Sequence, residues 1–224
     1  MTASLLEAPA PLAHSMLSAR VKDRILRWIL EGELPPGSRI VETRVARQLG
    51  TSQAPVREAL RDLATLGLVE MHPYRGARVR IPHADELVEA MQVRGELEAI
   101  AARQAAVLID EATLRRMQGL LDGMRDAARR GDAHGQALLN SEFHTCVIEA
   151  SGNHTVQRLW VVLEPFARTY LTATAPGVDL NWLAERHVAI IDALEARDPE
   201  RAAAVMRTHA REAEEQVTAS LNRR

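Results

Sequence analysis

Four residues in the C-terminal part of the chain have the types and spacings of metal ligands. Asn140 and His144 are four residues apart, which on a helix puts both side chains on one face. His187 and His209 lie eleven residues before and after a break at Asp198-Pro199, so they are level if the flanking helices are antiparallel. Three imidazoles, one amide oxygen and an open position suit Zn²⁺ or another transition metal such as Ni²⁺. A small carboxylate could fill the open position.

Three other interpretations of these residues stay open. The first is a packing role, since a helical histidine is more often a surface or core residue than a metal ligand. A metal sensor, in which the cation itself is the signal, fits the same ligand set. A metal-dependent enzyme fits less well. The sequence has no HExxH pattern, and Glu142 should point away from the face shared by Asn140 and His144.

The residues after Pro82 predict the helices that would position these ligands. Apolar residues recur at helical spacing, and no β-like run interrupts them. Short breaks between the helices favour antiparallel packing as a bundle, so we expect an all-α unit at about residues 84–224. The predicted helices cover 84–108, 111–130, 133–150, 153–174, 180–196 and 199–221.

The first 82 residues predict a different unit, which carries a charge of +4 against −6 for the remainder. Helices over 17–31 and 43–49, and a third that begins after Ser52, precede two β-like runs at 68–72 and 77–81. Ser52 should cap the third helix, and Pro55 suits its first turn. This order is typical of a winged helix-turn-helix, here at about residues 15–82 behind a flexible tail of residues 1–14. The chain should therefore be mainly α.

The start of the third helix predicts contact with double-stranded DNA. A helix-turn-helix lays the beginning of its second helix in the major groove. Gln53 could pair with an adenine edge, and Arg57 could reach a phosphate or a guanine. The predicted DNA contacts are Arg44, Ser52, Gln53, Ala54, Pro55, Arg57, Arg75, Gly76 and Arg78.

Composition excludes several other classes of protein. The 224 residues are 46% hydrophobic and 26% charged, which is globular composition, and no apolar run approaches the roughly 18 residues of a membrane span. The start of the chain lacks the features of a secretory signal. The single cysteine, Cys146, rules out an internal disulfide and a four-cysteine zinc site. We expect a cytoplasmic protein that does not associate with membranes.

The N-terminal unit resembles the GntR family of bacterial transcription regulators. Where that family usually has arginine in the turn entering the recognition helix, this chain has Gln53, so the operator bases read there could differ. The resemblance rests on Leu34–Ile40, Leu49–Leu60, Leu66–Val69 and Gly76.

The C-terminal unit resembles the FCD effector domain of the FadR-type branch of that family. The resemblance implies that an aspartate and three histidines bind a divalent metal, which a small organic acid effector contacts. Asn140 stands in the aspartate position, so the metal could be held more weakly, or mostly by the histidines. Arg94 is the candidate partner of the effector carboxylate, and the alternative is a salt bridge to Glu98, one turn on. The matching residues are Arg94–Glu98, Asn140–His144, Ser151–Asn153, His187 and His209.

Together these patterns predict a ligand-responsive DNA-binding regulator and not an enzyme. Two bundles would pair as a homodimer and place two recognition helices on a near-palindromic operator. An effector that prefers one bundle geometry would change the spacing of those helices. The family resemblance implies repression.

Overall fold

The computed structural model describes residues 12–72, 76–81, 83–174 and 179–221. The architecture is mainly helical with one small sheet, which confirms the predicted fold class. Contacts divide the chain after Ile81 into two compact units. The finer domain boundaries stay predictions. Across the described ranges, none of the helices combines the length and the apolar composition of a membrane span.

The N-terminal unit is a winged helix-turn-helix. Gly50, with a φ of +62°, turns the chain from the second helix toward the third, and this left-handed conformation favours glycine. The first helix begins at Leu12, inside the stretch predicted to be a tail, and residues 1–11 lie outside the described residues. The elements are α1 (Leu12–Leu30), β1 (Arg39–Ile40), α2 (Glu42–Gln48), α3 (Gln53–Thr65), β2 (Val69–His72) and β3 (Gly76–Val79).

The core of this unit lies between α1 and α3. Ile25 and Trp28 of α1 and Leu60 and Leu63 of α3 are buried, as the helical spacing of their apolar residues requires. Burying such side chains stabilises the unit by about 1.5–3 kcal/mol each. The exposed residues of α3 are therefore free to face a partner.

The wing is a three-stranded antiparallel sheet with β3 in the centre. β3 pairs with β2 and also with β1, where Arg39 lies opposite Arg78. Sequence patterning did not predict β1, because two residues are too short to show an alternating pattern. Gly76 has a φ of +82°, and a Cβ there would lie 3.0 Å from the carbonyl oxygen of Ile40. Both features favour glycine at the wing.

The C-terminal unit is a helical bundle around α4. The aspartates Asp110 and Asp132 cap α5 and α6 by accepting backbone hydrogen bonds. The described helices are α4 (Ala84–Leu108), α5 (Glu111–Arg129), α6 (Ala133–Ala150), α7 (His154–Thr174), α8 (Leu180–Glu185), α9 (Val188–Glu195) and α10 (Pro199–Leu221).

Small residues let α4 and α10 pack closely along much of their length. A Cβ added at Gly95 of α4 would lie only 2.7 Å from the Cβ of Ala210 on α10. Further along α4, Ala99, Ala102 and Ala106 are completely buried. This close packing brings the polar residues of α4 toward those of α10.

The helix predicted over residues 180–196 is broken at Arg186 and His187, which separate α8 from α9. In a continuous helix, the carbonyl of Ala184 would accept the amide of Val188. Instead it accepts the amide of His187, and the Nδ1 atom of the same residue lies 3.1 Å from it. The imidazole thus takes part in ending the helix, and no glycine or proline marks the break in the sequence.

Candidate functional site

Three histidines from different parts of the bundle meet in its interior. His144 comes from α6, His187 from the break between α8 and α9, and His209 from α10. Their ring centroids are 4.7 to 5.4 Å apart, and all three side chains are buried. One nitrogen of each ring lies within 4.8 Å of the others. Among the residues that the structure describes, these three form a cluster with metal-ligating potential.

The cluster contains buried ring nitrogen atoms that have no hydrogen-bond partner among the described residues. The Nδ1 atom of His187 contacts the Ala184 carbonyl, which leaves its buried Nε2 with no hydrogen-bond partner in the described residues. The buried Nδ1 of His209 is in the same condition. An unsatisfied buried polar atom costs about 1–3 kcal/mol, so a bound ion would relieve this penalty. His144, His187 and His209 would hold such an ion through one ring nitrogen each.

Electrostatics keep two of these rings in the form that binds metals. Burial, together with the neighbouring His144, lowers the pKa of His187 to about 3. Burial and the other two histidines lower the pKa of His209 well below its ordinary value. Both rings are therefore neutral at neutral pH, and neutral imidazole is the ligand form. The residues present fit a transition metal.

Glu98 and Arg94 form a buried ion pair beside His144. Arg94 donates from Nε and Nη2 to Oε1 of Glu98, at 3.1 and 3.0 Å, and its guanidinium lies 4.9 Å from the ring centre of Trp160. The same carboxylate oxygen lies 2.8 Å from Nδ1 of His144, in contact but without the alignment of a hydrogen bond. Burial raises the pKa of Glu98, but Arg94 and His144 outweigh it and lower the pKa to about 2. Glu98 is therefore ionised.

A cavity of about 160 Å³ lies against this cluster. Cavities of about 150 Å³ in other proteins enclose a molecule the size of benzene, so the space suits a small organic ligand. The cavity wall brings together the predicted ligands Asn140, His144 and His209 with Arg94. His187 packs edge-on against Phe143, with ring centroids 4.7 Å apart.

Arg186 is a second arginine in the cavity wall, and it is partly buried. Its Nε donates to Glu212 at 2.9 Å, its Nη2 donates to the carbonyl of His209, and its guanidinium lies 4.5 Å from the ring centre of Trp182. Sequence reasoning missed Arg186 and the contact of Glu98 with His144. A signal existed for Glu98, because an acidic residue one turn from Arg94 lies on the same helix face. Nothing local marks Arg186.

The N-terminal unit has a groove between α2, the start of α3 and the wing. Among the predicted DNA contacts, Gln53, Arg57 and Gly76 line it, while Ser52 and Ala54 are exposed at the start of α3. Sequence reasoning missed several other polar residues of this wall. They are Arg39, Glu42, Thr43, Arg61 and His72.

Other predicted DNA contacts lie elsewhere. Pro55 is buried in the first turn of α3. Arg44 is exposed on α2 outside the groove. Arg78 donates to the carbonyl of Gly37 at 2.6 Å, and Arg75 lies outside the described residues.

Ser52 occupies the N-cap position of α3, but its side chain makes no capping hydrogen bond. The prediction that it caps the helix was wrong in this respect. Its exposure lets water satisfy the first amides of α3. The hydroxyl is left available to a partner.

Arg57 is held by Glu42 across the helix-turn-helix. Its Nε lies 3.1 Å and its Nη2 2.8 Å from Oε2 of Glu42. A hydrogen bond to Glu42 raises the pKa of Arg57 above its ordinary value, so Arg57 is always charged. The hydrogen bonds to Glu42 orient the guanidinium within the groove.

Comparison with known proteins identifies both units. Residues 17–79 match the family described as bacterial regulatory proteins, gntR family, and residues 89–212 match the FCD domain. The chain belongs to the GntR family. It is a bacterial transcriptional regulator with a DNA-binding unit and an FCD domain, which confirms the resemblance, and its family consists of regulators rather than enzymes.

Relatives of this GntR-family chain are similar over most of their length. A probable D-xylose utilization operon transcriptional repressor of Paenarthrobacter nicotinovorans is 38% identical over 198 residues, which are 88% of this chain and 87% of that one. The solved structure of McbR/YncC of Escherichia coli has a TM-score of 0.76 at 26% identity and covers 92% of this chain and 97% of its own. A putative GntR regulator of Rhodococcus sp. RHA1 also has a TM-score of 0.76, at 25% identity, and covers 90% and 97%.

Proposed function

We propose that this GntR-family regulator is a homodimeric repressor that is released from a near-palindromic operator when a small organic acid binds at a divalent metal in the FCD domain. One observation carries the proposal. The buried, unpartnered nitrogens of His187 and His209 converge with His144 beside a cavity whose wall also contains Arg94 and Arg186. Such a site suits a cation and an anionic ligand together.

His144, His187 and His209 would hold the metal, and the amide oxygen of Asn140, one turn before His144, would be the fourth ligand. Zn²⁺ and Ni²⁺ both accept such a nitrogen-rich set. When bound, the metal would supply a Lewis-acidic position for a carboxylate. Glu98 contacts Nδ1 of His144 and would help to hold the ring in place by packing against it.

Arg94 and Arg186 would bind the acid. Both guanidiniums are already fixed by carboxylates, Glu98 and Glu212, so neither has to be ordered when the ligand enters. Their planar forks suit carboxylates. Repression is supported by the relative named as a repressor of a D-xylose utilization operon. That name mentions D-xylose, so D-xylonate, which adds a carboxylate to the carbon skeleton of this sugar, is our first acid probe, with D-xylose as the uncharged comparison.

The homodimer would form through an apolar face of α4 and α7. Val93, Ile100 and Val107 are exposed and follow one another at seven-residue intervals, so they form one stripe along α4. Leu159 and Val162 of α7, which packs beside α4, are exposed as well. A second copy of the chain can cover such a face by two-fold symmetry, and two recognition helices would then read two half-sites. We propose that the dimer acts in the bacterial cytoplasm, where its DNA is.

Calorimetric titration of the chelator-treated, tag-free protein with Zn²⁺ tests the metal. We expect one site per chain in the wild type, its loss in His187→Ala and His209→Ala, and tighter binding in Asn140→Asp, because a carboxylate adds charge. His154→Ala is the matched control, since His154 is an exposed histidine of α7. Equal uptake by all four variants would show that the cluster does not bind the metal.

Fluorescence anisotropy on a fragment of the protein's own promoter then separates the roles of metal and acid. We expect D-xylonate or another small acid to weaken DNA binding only when metal is present. The His187→Ala variant should bind DNA and fail to respond. Release by Zn²⁺ alone would identify a metal sensor instead, and release by the acid in the His187→Ala variant would contradict the metal's role.

Sedimentation of the full chain tests the dimer. Ile100→Asp should shift the wild-type dimer toward monomer, because it places a charge in the apolar stripe. Gln118→Asp, at an exposed position of α5, is the control and should leave the dimer intact. A monomeric wild type at tens of micromolar, or an unaffected Ile100→Asp variant, would contradict this assembly.

A further inference from the structure

The ion pair between Arg57 and Glu42 lies in the groove beside the start of α3, the part of a helix-turn-helix that enters the major groove. Glu42 is in the first turn of α2, where the helix dipole favours a negative charge, and Val41 at the N-cap provides no side-chain cap. The Glu42 side chain is 16% exposed and that of Arg57 is 50% exposed. The acid is therefore the fixed partner, and the guanidinium is the one that protrudes into the groove.

The pairing leaves one defined edge of Arg57 available. A guanidinium has five N–H donors in a rigid plane, and Glu42 engages the edge formed by Nε and Nη2. The end of the guanidinium, formed by Nη1 and the second N–H of Nη2, is not the edge that Glu42 engages. This remaining edge can donate two parallel hydrogen bonds, as the O6 and N7 atoms of a guanine require.

The pairing also changes what attracts Arg57 to DNA. An unpaired arginine binds any phosphate, because the attraction between the charges is independent of sequence. The negative charge of Glu42, within 3.1 Å of the guanidinium, offsets most of that attraction. Hydrogen bonds to an uncharged base edge are affected much less, so the pair favours contacts that only a particular sequence provides.

We propose that Glu42 is a specificity-determining residue of this regulator, because it restrains Arg57 so that the guanidinium binds DNA only where the operator offers an acceptor to its free edge. Glu42 itself does not contact the bases. It lowers the affinity for unrelated DNA and keeps the affinity for the operator. This role is separate from the metal and the effector, which belong to the other unit.

The test compares full-length wild type with Glu42→Gln on two DNA probes. One probe is a 30-base-pair duplex selected by the wild type from a randomised pool, and the other is the unselected pool. Asp62→Asn is the matched control, because it removes one exposed negative charge from the same helix as Arg57. Each affinity is measured by anisotropy between 0.05 and 0.3 M salt, conditions chosen to give the salt dependence.

In Glu42→Gln, we expect binding to the unselected pool to strengthen about fivefold at about 0.15 M salt, since one further phosphate contact steepens the salt dependence by about 0.9. The ratio of selected to unselected affinity should fall about tenfold, as expected when one bidentate base contact loses its preference. Asp62→Asn should strengthen binding to both probes equally and leave the ratio unchanged. An equal change of the ratio in the two variants would overturn the proposal.

Repeating the substitution in an Arg57→Met variant separates an effect through Arg57 from a general effect of the lost charge. In Arg57→Met, adding Glu42→Gln should leave the affinity ratio unchanged, because the residue through which Glu42 acts is missing. A further fall of the ratio in the double variant would show that Glu42 acts by another route. A lowered melting temperature of Glu42→Gln with equal loss of both affinities would identify a structural residue, and would also overturn the proposal.

Discussion

Replacing Glu98 by glutamine should destabilise the bundle far more than the same replacement of a glutamate that pairs with an arginine on the surface. Glu98 is 2% exposed and receives two hydrogen bonds from Arg94, which is itself buried. The substitution keeps the shape and one acceptor oxygen but leaves the charge of Arg94 buried without compensation. Breaking a buried pair in this way costs about 3–5 kcal/mol. Because one acceptor remains, we expect a loss of about 3 kcal/mol in the free energy of unfolding.

The matched control is Glu200→Gln. Arg103 and Glu200 join α4 to α10 at 2.6 Å, but the Glu200 side chain is 77% exposed. Water and salt screen this pair, so its loss should cost less than about 1 kcal/mol. The two variants change the same functional group and differ mainly in burial.

Urea denaturation followed by circular dichroism, with EDTA present to remove bound metal, measures both losses. Replacing both partners, in Arg94→Met/Glu98→Leu, should recover more than half of the loss, because no charge then stays buried. Equal destabilisation by Glu98→Gln and Glu200→Gln would refute the reasoning. So would a double variant as unstable as Glu98→Gln alone.

Three further predictions follow from the packing and from the groove. Gly95→Ala should destabilise the bundle by about 1–3 kcal/mol in the same denaturation assay, because the new Cβ would lie 2.7 Å from that of Ala210. Gly119→Ala is the control. It should stabilise the bundle by about 0.5–1 kcal/mol, because the space around Gly119 is open and alanine favours the helix. Cys146 is buried and burial raises the pKa of its thiol, so a disulfide reagent should modify the native protein on the order of 100-fold more slowly than the unfolded chain; comparable rates would contradict this. Arg57→Ala should weaken operator binding about tenfold at fixed salt, measured by anisotropy, and an unchanged affinity would remove Arg57 from the interface.

Sequence patterning predicted the elements that depend on local periodicity. The long helices from α4 to α7 and α10 agree with the expected ranges to within about a residue, because their apolar residues repeat at helical spacing. The break before α9 could not be predicted, since it depends on the ring of His187 contacting the Ala184 carbonyl. β1 was missed because its two residues are defined only by their partner strand.

The same distinction holds for the candidate sites. The shared face of Asn140 and His144 follows from their spacing, and the sequence pointed to both alternatives for Arg94. The structure pairs Arg94 with Glu98 and also places it in the cavity wall. The partner of Arg57, fifteen residues away, depends on how α2 and α3 cross, which no local pattern encodes.

The interleaving of residues along α4 bears on how such regulators diversify after gene duplication. Arg94 and Glu98 face the cavity, while Val93, Ile100 and Val107 face outward from the same helix. In the proposed dimer, the choice of ligand and the choice of partner would be encoded by different side chains of one helix. Paralogues could therefore exchange one apolar stripe for another and avoid mixed dimers, while each keeps its inducer.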